Sequence, residues 1–233
     1  RPVYSHLIAA ERLLYAAQGR SAAVTIADVD GDGRSEAVLR SPWLSVTVDP
    51  GEGGAVTEID DLRRSINLVD TLSRRWEPYH QKLTAARPEA GTAAGGGPAG
   101  IHDLVSVKEQ GLETLLIYDD HRRGCWLDAA FTATPTLQQM VRATWGEHRL
   151  WSEGAWELVT DGASRRSRDA SVTMRRSIER RSLEKTVSLS RGAPQMQYRY
   201  RLAGEAVPVV GMEFNLCVRD PQRLEPRWEP GVT

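Results

Sequence analysis

The sequence predicts a mainly β protein, a β-sandwich preceded by a short helical segment. Two observations carry this. Short runs of alternating apolar and polar residues fill much of the chain, and glycine- or proline-bearing turns part the early runs about every ten residues. The first stretch has a helical period: Val3, Leu7, Ala10 and Leu14 follow the spacing of one helix face.

The helix is expected to begin at Pro2, which a first turn tolerates, and to stop at Gly19. Val24 and Ile26 then alternate with smaller residues and run into the turn Asp28-Val29-Asp30-Gly31-Asp32-Gly33. Ala37, Val38 and Leu39 resume an apolar strand. Leu44, Val46 and Val48 form the next, stopped by Asp49-Pro50-Gly51. Ala55, Thr57 and Ile59 lead another, reached through Gly53-Gly54. Residues 74–86 read as helical or irregular, and residues 87–100, with Gly95-Gly96-Gly97-Pro98, as a flexible surface loop. From Ile101 to Phe131 the pattern gives no clear element. Period two returns at Val172 and Met174, at Val187 and Leu189, and at Tyr198, Tyr200 and Leu202. Met212, Phe214, Leu216 and Val218 share one face, with Glu213, Asn215 and Cys217 on the other. The expected organisation is a helix over residues 1–20 and a sandwich over residues 21–233.

Composition narrows the function classes. The 233 residues are 40% hydrophobic and 26% charged, with a formal net charge of -1, which gives ordinary globular balance without the basic excess of a nucleic-acid binder. No apolar run approaches the length of a membrane span, and no signal-peptide pattern opens the chain. Cys125 and Cys217 lie far apart, which argues against a disulfide framework or zinc cluster and for a reducing cytoplasm. The chain opens on Arg1-Pro2-Val3 and closes on Trp228-Glu229-Pro230-Gly231-Val232-Thr233, which reads as a piece of a longer protein.

Asp28, Asp30, Asp32 and Glu36 occupy positions one, three, five and nine of a tight loop. Alternate oxygen ligands with glycines at the bends suit a hard cation such as Ca2+. The twelfth position is Leu39, where an EF-hand needs a bidentate glutamate, and strands flank the loop. A metal-free hairpin turn explains the same Asp-Gly pairs. In either case the role is structural, and no organic cofactor is expected.

An ordered set of motifs begins with Asp28 to Glu36 and Asp49-Pro50-Gly51-Glu52-Gly53-Gly54. The run Asn67 to His80 follows, holding Trp76-Glu77-Pro78-Tyr79-His80. Then come Ile101-His102-Asp103, Tyr118-Asp119-Asp120-His121-Arg122-Arg123, Leu127-Asp128 and Met212 to Leu216. Together these resemble the C-terminal domain of glycoside hydrolase family 57 α-amylases and 4-α-glucanotransferases. The opening helix, Tyr4 to Glu11, looks like the helix that follows the catalytic barrel in that family. The resemblance implies a galactose-mutarotase-like sandwich that packs on a separate catalytic barrel and borders a cleft for α-1,4-glucan or maltooligosaccharide. It further implies that the nucleophile and acid/base lie on that barrel, and that the sandwich continues beyond this sequence. Where the family carries a histidine and a phenylalanine after Leu127-Asp128, this chain has Ala129 and Ala130, so the role of that histidine is not carried over.

Retaining glycosidases need two carboxyls about 5–5.5 Å apart. Spacing singles out no such pair among Glu77, Asp103, Asp119, Asp120 and Asp128, so no catalytic residue is assigned. Trp76, Glu77, His80, His102, Asp103, Tyr118, Asp119, Arg122 and Arg123 are the sugar-contact candidates. Rings stack on glucose faces, and charged or imidazole groups bond to hydroxyls. A polar interface with the barrel, fixed by arginine–carboxylate pairs, explains the same residues. Epimerisation by Glu213 with His102 or His80 rests on fold analogy alone. The arginines from Arg165 to Arg181 read as the wet face of an edge strand, and Trp145, Trp151 and Trp156 as either core or sugar-binding surface. The expected function is a non-catalytic accessory domain of an α-glucan-acting enzyme. A stand-alone carbohydrate-binding module, an inactive remnant and a calcium-stabilised sandwich used for protein contacts are the alternatives.

Overall fold

The computed structural model describes residues 2–19, 22–81, 111–119, 121–131, 133–142, 151, 154–159, 169–205 and 209–217. Contacts divide the chain into two units: residues 1–71, 124–135 and 146–233, and residues 72–123 with 136–145.

The larger unit is the predicted sandwich, built from two antiparallel sheets. Helix α1 (Pro2–Ala17) precedes β1 (Ala23–Ala27), β2 (Glu36–Arg40), β3 (Leu44–Asp49), β4 (Ala55–Asp61), β5 (Ile66–Asn67) and β6 (Cys125–Phe131). Then come β7 (Glu157–Val159), β8 (Ala170–Ile178), β9 (Arg181–Leu189), β10 (Met196–Gly204) and β11 (Val209–Phe214). The first sheet runs β1-β2-β3-β4-β6-β11, with β5 paired to β4. The second runs β10-β9-β8-β7. The smaller unit holds a 3-10 turn (Leu112–Leu115) and α2 (Leu137–Val141), which Thr136 and Gln139 open with a capping box.

The core lies between the sheets. Ala37, Leu39, Val46, Val48, Val56 and Ile59 of the first sheet meet Val172, Met174, Leu183, Val187 and Leu189 of the second. Asp49 stops β3 as expected: its Oδ1 accepts from Gly51 N at 2.7 Å and Glu52 N at 3.1 Å. Gly19, at φ 64°, closes α1 with a hydrogen bond from its N–H to Ala16 O. Trp151 and Trp156 are core residues, 2% and 4% exposed, so neither can stack on a sugar. Trp145 and residues 87–100 lie outside the described residues.

The structure adds to the sequence reading at three places. The face of Val3, Leu7 and Leu14 on α1 points to solvent, while Ile8 and Tyr15 are buried. The helix carries two apolar stripes, and the spacing picks out the outward one. Strand β8 is not an edge, because β7 and β9 flank it. Its wet face survives in part, as Arg175 pairs with Glu184 across the strands at 2.7 Å; Arg165, Arg166 and Arg168 lie outside the described residues. Lastly, β6 occupies the stretch that gave no clear element. It is buried along its whole length, so no alternation marks it.

Candidate functional site

In the smaller unit, two irregular segments are stapled together where no sheet joins them. The Asp119 carboxylate, 1% exposed, is gripped from both sides. Arg74 gives it Nε at 3.0 Å, a terminal nitrogen at 2.5 Å and its backbone N–H at 2.7 Å. Arg123 gives Nε at 2.9 Å and a terminal nitrogen at 3.0 Å. The backbone closes the ring, with Asp119 N donating to Arg74 O at 2.8 Å and Arg123 N to Ser73 Oγ at 2.7 Å. Burial alone would raise the Asp119 carboxyl, but the hydrogen bonds from Arg74 and Arg123 outweigh it and hold the group well below the usual carboxylate range. With its lone pairs so filled, the Asp119 carboxylate fixes the two segments to one another. Arg74 is the partner that sequence reasoning missed, and no spacing rule links it to Asp119 forty-five residues on.

The clamp holds a set of rings beside it. His80 is buried, and its Nδ1 accepts from Glu77 N at 3.1 Å. The Tyr118 hydroxyl lies 3.2 Å from the same nitrogen. Tyr79 meets His80 edge-on at 4.3 Å, and Tyr118 lies 5.5 Å from it. In the same unit Trp76 is 53% exposed, Tyr79 54% and Tyr118 37%. Glu77 and Arg122 are also exposed. The structure thus brings together Trp76, Glu77, His80, Tyr118, Asp119 and Arg123 within one unit. His102 and Asp103, with Asp120, lie outside the described residues.

The acidic loop joins β1 to β2. Asp28 accepts from Gly31 N at 2.8 Å and Gly33 N at 3.0 Å, and the Asp32 carboxylate is turned to Arg34 N at 2.7 Å. Carboxylate oxygens of Asp28, Asp30 and Glu36 lie within 4.8 Å of one another, a set that leaves Asp32 out. Glu36 is 2% exposed. Its Oε2 accepts from Val29 N at 2.7 Å, while Oε1 is buried with no hydrogen-bond partner. A buried carboxylate oxygen without a partner is costly, and three carboxylates grouped this closely are a donor set that suits Ca2+.

A further polar cluster crosses the sandwich core, and sequence reasoning did not find it. Lys185 on β9 and Asp128 on β6 are both 0% exposed and meet at 2.7 Å. The ammonium also donates to Gly53 O and Trp126 O, each at 3.1 Å, and lies 4.6 and 4.4 Å from the Trp126 and Trp156 ring centroids. The Tyr200 hydroxyl donates to the other Asp128 oxygen at 2.9 Å. Burial pushes Asp128 up and Lys185 down, and their mutual attraction opposes both shifts. Trp126 takes φ 65°, uncommon for a side-chain-bearing residue, and its carbonyl is one of the three lysine acceptors. Both Asp128 oxygens are occupied, so this acid offers no free nucleophile. Glu213 Oε1 likewise accepts from Asn215 Nδ2 at 2.7 Å.

These features define an antiparallel β-sandwich module whose buried acids hold its own architecture, joined to a unit that displays exposed rings. The sequence profile of the family described as alpha-amylase/4-alpha-glucanotransferase, C-terminal, matches residues 28–226. A 4-alpha-glucanotransferase of Thermococcus kodakarensis is 32% identical over 195 residues, which is 83% of this chain and 28% of that protein. Alpha-amylase 1 of Dictyoglomus thermophilum is 36% identical over 138 residues, 59% of this chain and 19% of that protein. The crystal structure of the Thermococcus litoralis 4-alpha-glucanotransferase superposes with a TM-score of 0.66 at 24% identity, covering 93% of this chain and 31% of that one; this likeness is one of fold. The chain spans about a fifth to a third of the length of these relatives. It belongs to the C-terminal domain family of α-amylases and 4-α-glucanotransferases.

Proposed function

We propose that the chain serves as the accessory C-terminal β-sandwich of an α-glucan-acting enzyme, without catalytic residues of its own, beside a catalytic barrel that it supports and whose glucan cleft it borders. The observation that carries this is the exposed pair Trp76 and Tyr79, with Tyr118, on loops fixed by the Asp119 clamp. Exposed rings on a rigid footing lose little entropy when a glucose face stacks on them. Arg122 and Glu77 are exposed nearby in sequence to meet hydroxyls. The carboxylates of Asp119 and Asp128 are already occupied by cations and a hydroxyl, which supports a non-catalytic role. Cys125 and Cys217 are not joined in a disulfide, which suits the cytoplasm.

The test is calorimetric titration with maltoheptaose, with products followed by chromatography. Binding without new products, weakened about tenfold or more in Trp76→Ala, supports the reading. Product formation by the chain alone overturns the non-catalytic claim. Binding unchanged in Trp76→Ala and Tyr79→Ala overturns the assignment of the rings. A second reading concerns the acidic loop, where the orphaned Glu36 Oε1 favours a structural Ca2+ held by Asp28, Asp30 and Glu36.

A further inference from the structure

The face of the first sheet turned away from the core carries polar side chains, yet it is buried. Ser45, Thr47 and Asp60 are 5%, 8% and 4% exposed. Strand register puts Arg40, Ser45, Asp60 and Asn67 directly opposite one another in a single row across β2, β3, β4 and β5. The next row sets Thr47 against Glu58. Helix α1 lies along this face. It contacts β5, its Glu11 reaches Arg40 at the end of the row at 3.3 Å, and its Arg12 donates to Leu62 O at 3.4 Å.

Asp60 is out of balance in that setting. Its Oδ1 is buried with no hydrogen-bond partner. The charged groups around it are Glu58 on its own strand, Glu11 on the helix and Arg40 on β2, and Arg40 is engaged by Glu11. Two further carboxylates therefore share the single guanidinium of the row with it. A buried carboxylate without its own cation is stable only as the neutral acid.

We propose that Asp60 is a proton-dependent latch for α1. Neutral, it lets the helix close over β4 and β5; ionised, it adds a third carboxylate beside Glu11 and Glu58 in a dry interface, and the helix lifts. Burial, reinforced first by Glu58 and then by Glu11, raises the carboxyl to about 8 while the helix is closed. Burial raises Glu58 as well, in the same sense. Once α1 is away, hydration lowers Asp60 again. The closed state thus binds the extra proton, and closure is complete at acidic pH. It weakens as pH rises towards about 8 and changes no further above that, since both states are then ionised. A single proton limits the slope to about tenfold per pH unit. The helix that would move is the one that presents Val3, Leu7 and Leu14 outward, so the latch would govern how that apolar stripe is displayed.

The test is the hydrogen-exchange protection of α1 amides from pH 5.5 to 9, taken as a ratio to that of β3 so that intrinsic pH effects cancel. In the unmodified chain the ratio should fall severalfold or more per unit up to about pH 8 and then level. In Asp60→Asn the fall should shrink to what Glu58 alone contributes. The same slope in Asp60→Asn, or β3 losing protection in step with α1, overturns the proposal. Should that variant not fold, Glu11→Gln decides the matter: removing one facing carboxylate must shrink the pH-dependent fall, and an undiminished fall refutes the latch.

Discussion

Replacing Lys185 by methionine keeps most of the side-chain volume and removes the ammonium. Three acceptors then lose their donor at once: Asp128 Oδ2, Gly53 O and Trp126 O. All lie in the sandwich interior, where water cannot replace the lost bonds, and Asp128 is left with only the Tyr200 hydroxyl. Removing one partner of a buried pair costs about 3–5 kcal/mol. That is a large share of the roughly 5–15 kcal/mol that keeps an ordinary domain folded. With a urea m-value of about 2 kcal/mol/M, the midpoint should drop by about 2 M. Equilibrium urea unfolding followed by tryptophan fluorescence is the assay. Adding Asp128→Leu removes the stranded charge, so the double variant should recover much of the loss. A Lys185→Met variant within about 1 kcal/mol of the parent, or a double variant costing the sum of the singles, would refute the account of the pair as a mutually dependent cross-link.

Gly54 sits beneath the same lysine at φ 62°, and an added Cβ would lie 2.8 Å from Lys185 Cε and 3.2 Å from the Trp156 ring. Gly54→Ala should cost about 2 kcal/mol or more, against about 1 kcal/mol for Gly33→Ala, whose Cβ meets nothing within 4 Å; paired thermal melts give the difference. Asp119→Asn should loosen residues 72–81 by about 2 kcal/mol, read as faster exchange of the Arg74 and Arg123 amides. The Asp119 carboxyl is held low, so the stability of its clamp is full above the ordinary carboxylate value near 4 and drains away as pH falls below it; the variant should lose that acid dependence. Chelator at constant ionic strength should lower the melting temperature of the calcium-loaded parent and leave Glu36→Gln nearly unmoved, because a ligand bound only to the folded state stabilises it by mass action. No shift in the parent removes the metal reading.

The strands were legible wherever one face met the core and the other met solvent or polar neighbours. Strand β9 is the clearest case: Leu183, Val187 and Leu189 mark the inward face with period two. The same period sets Lys185 inward between them, so the signal for the buried ammonium was present in the pattern. Only its partner was hidden, since Asp128 lies fifty-seven residues away on a strand with no alternation. The clamp at Asp119 was half legible. The letters at 76–80 and 118–123 marked the right segments, but nothing local says that Arg74 and Arg123 close on one acid. For α1 the helical period was legible and the buried stripe was not, because two apolar stripes on one helix give spacing no means of choosing between them.

Alternation reports which side chains share a face and is silent on what covers that face. On β3 and β4 the polar half of the pattern, Ser45, Thr47 and Asp60, reads as wet and is dry. On β9 a lone charge sits on the dry half. Both are charges or polar groups in places where water does not reach, and physics allows two ways out. Lys185 takes the first, because a carboxylate, two carbonyls and two indole faces stand opposite it, and it can stay charged. Asp60 has only Arg40, already held by Glu11, and the further acid Glu58 beside it, so it takes the second and keeps its proton. The two sites should therefore answer differently to substitution. The lysine pair should be sensitive to any substitution of either partner. Asp60 should tolerate asparagine, its neutral isostere, and respond to pH. If Asp60→Asn proved as damaging as Lys185→Met, Asp60 would have to be ionised and paired in the folded chain, and the division drawn between the two sites would fail.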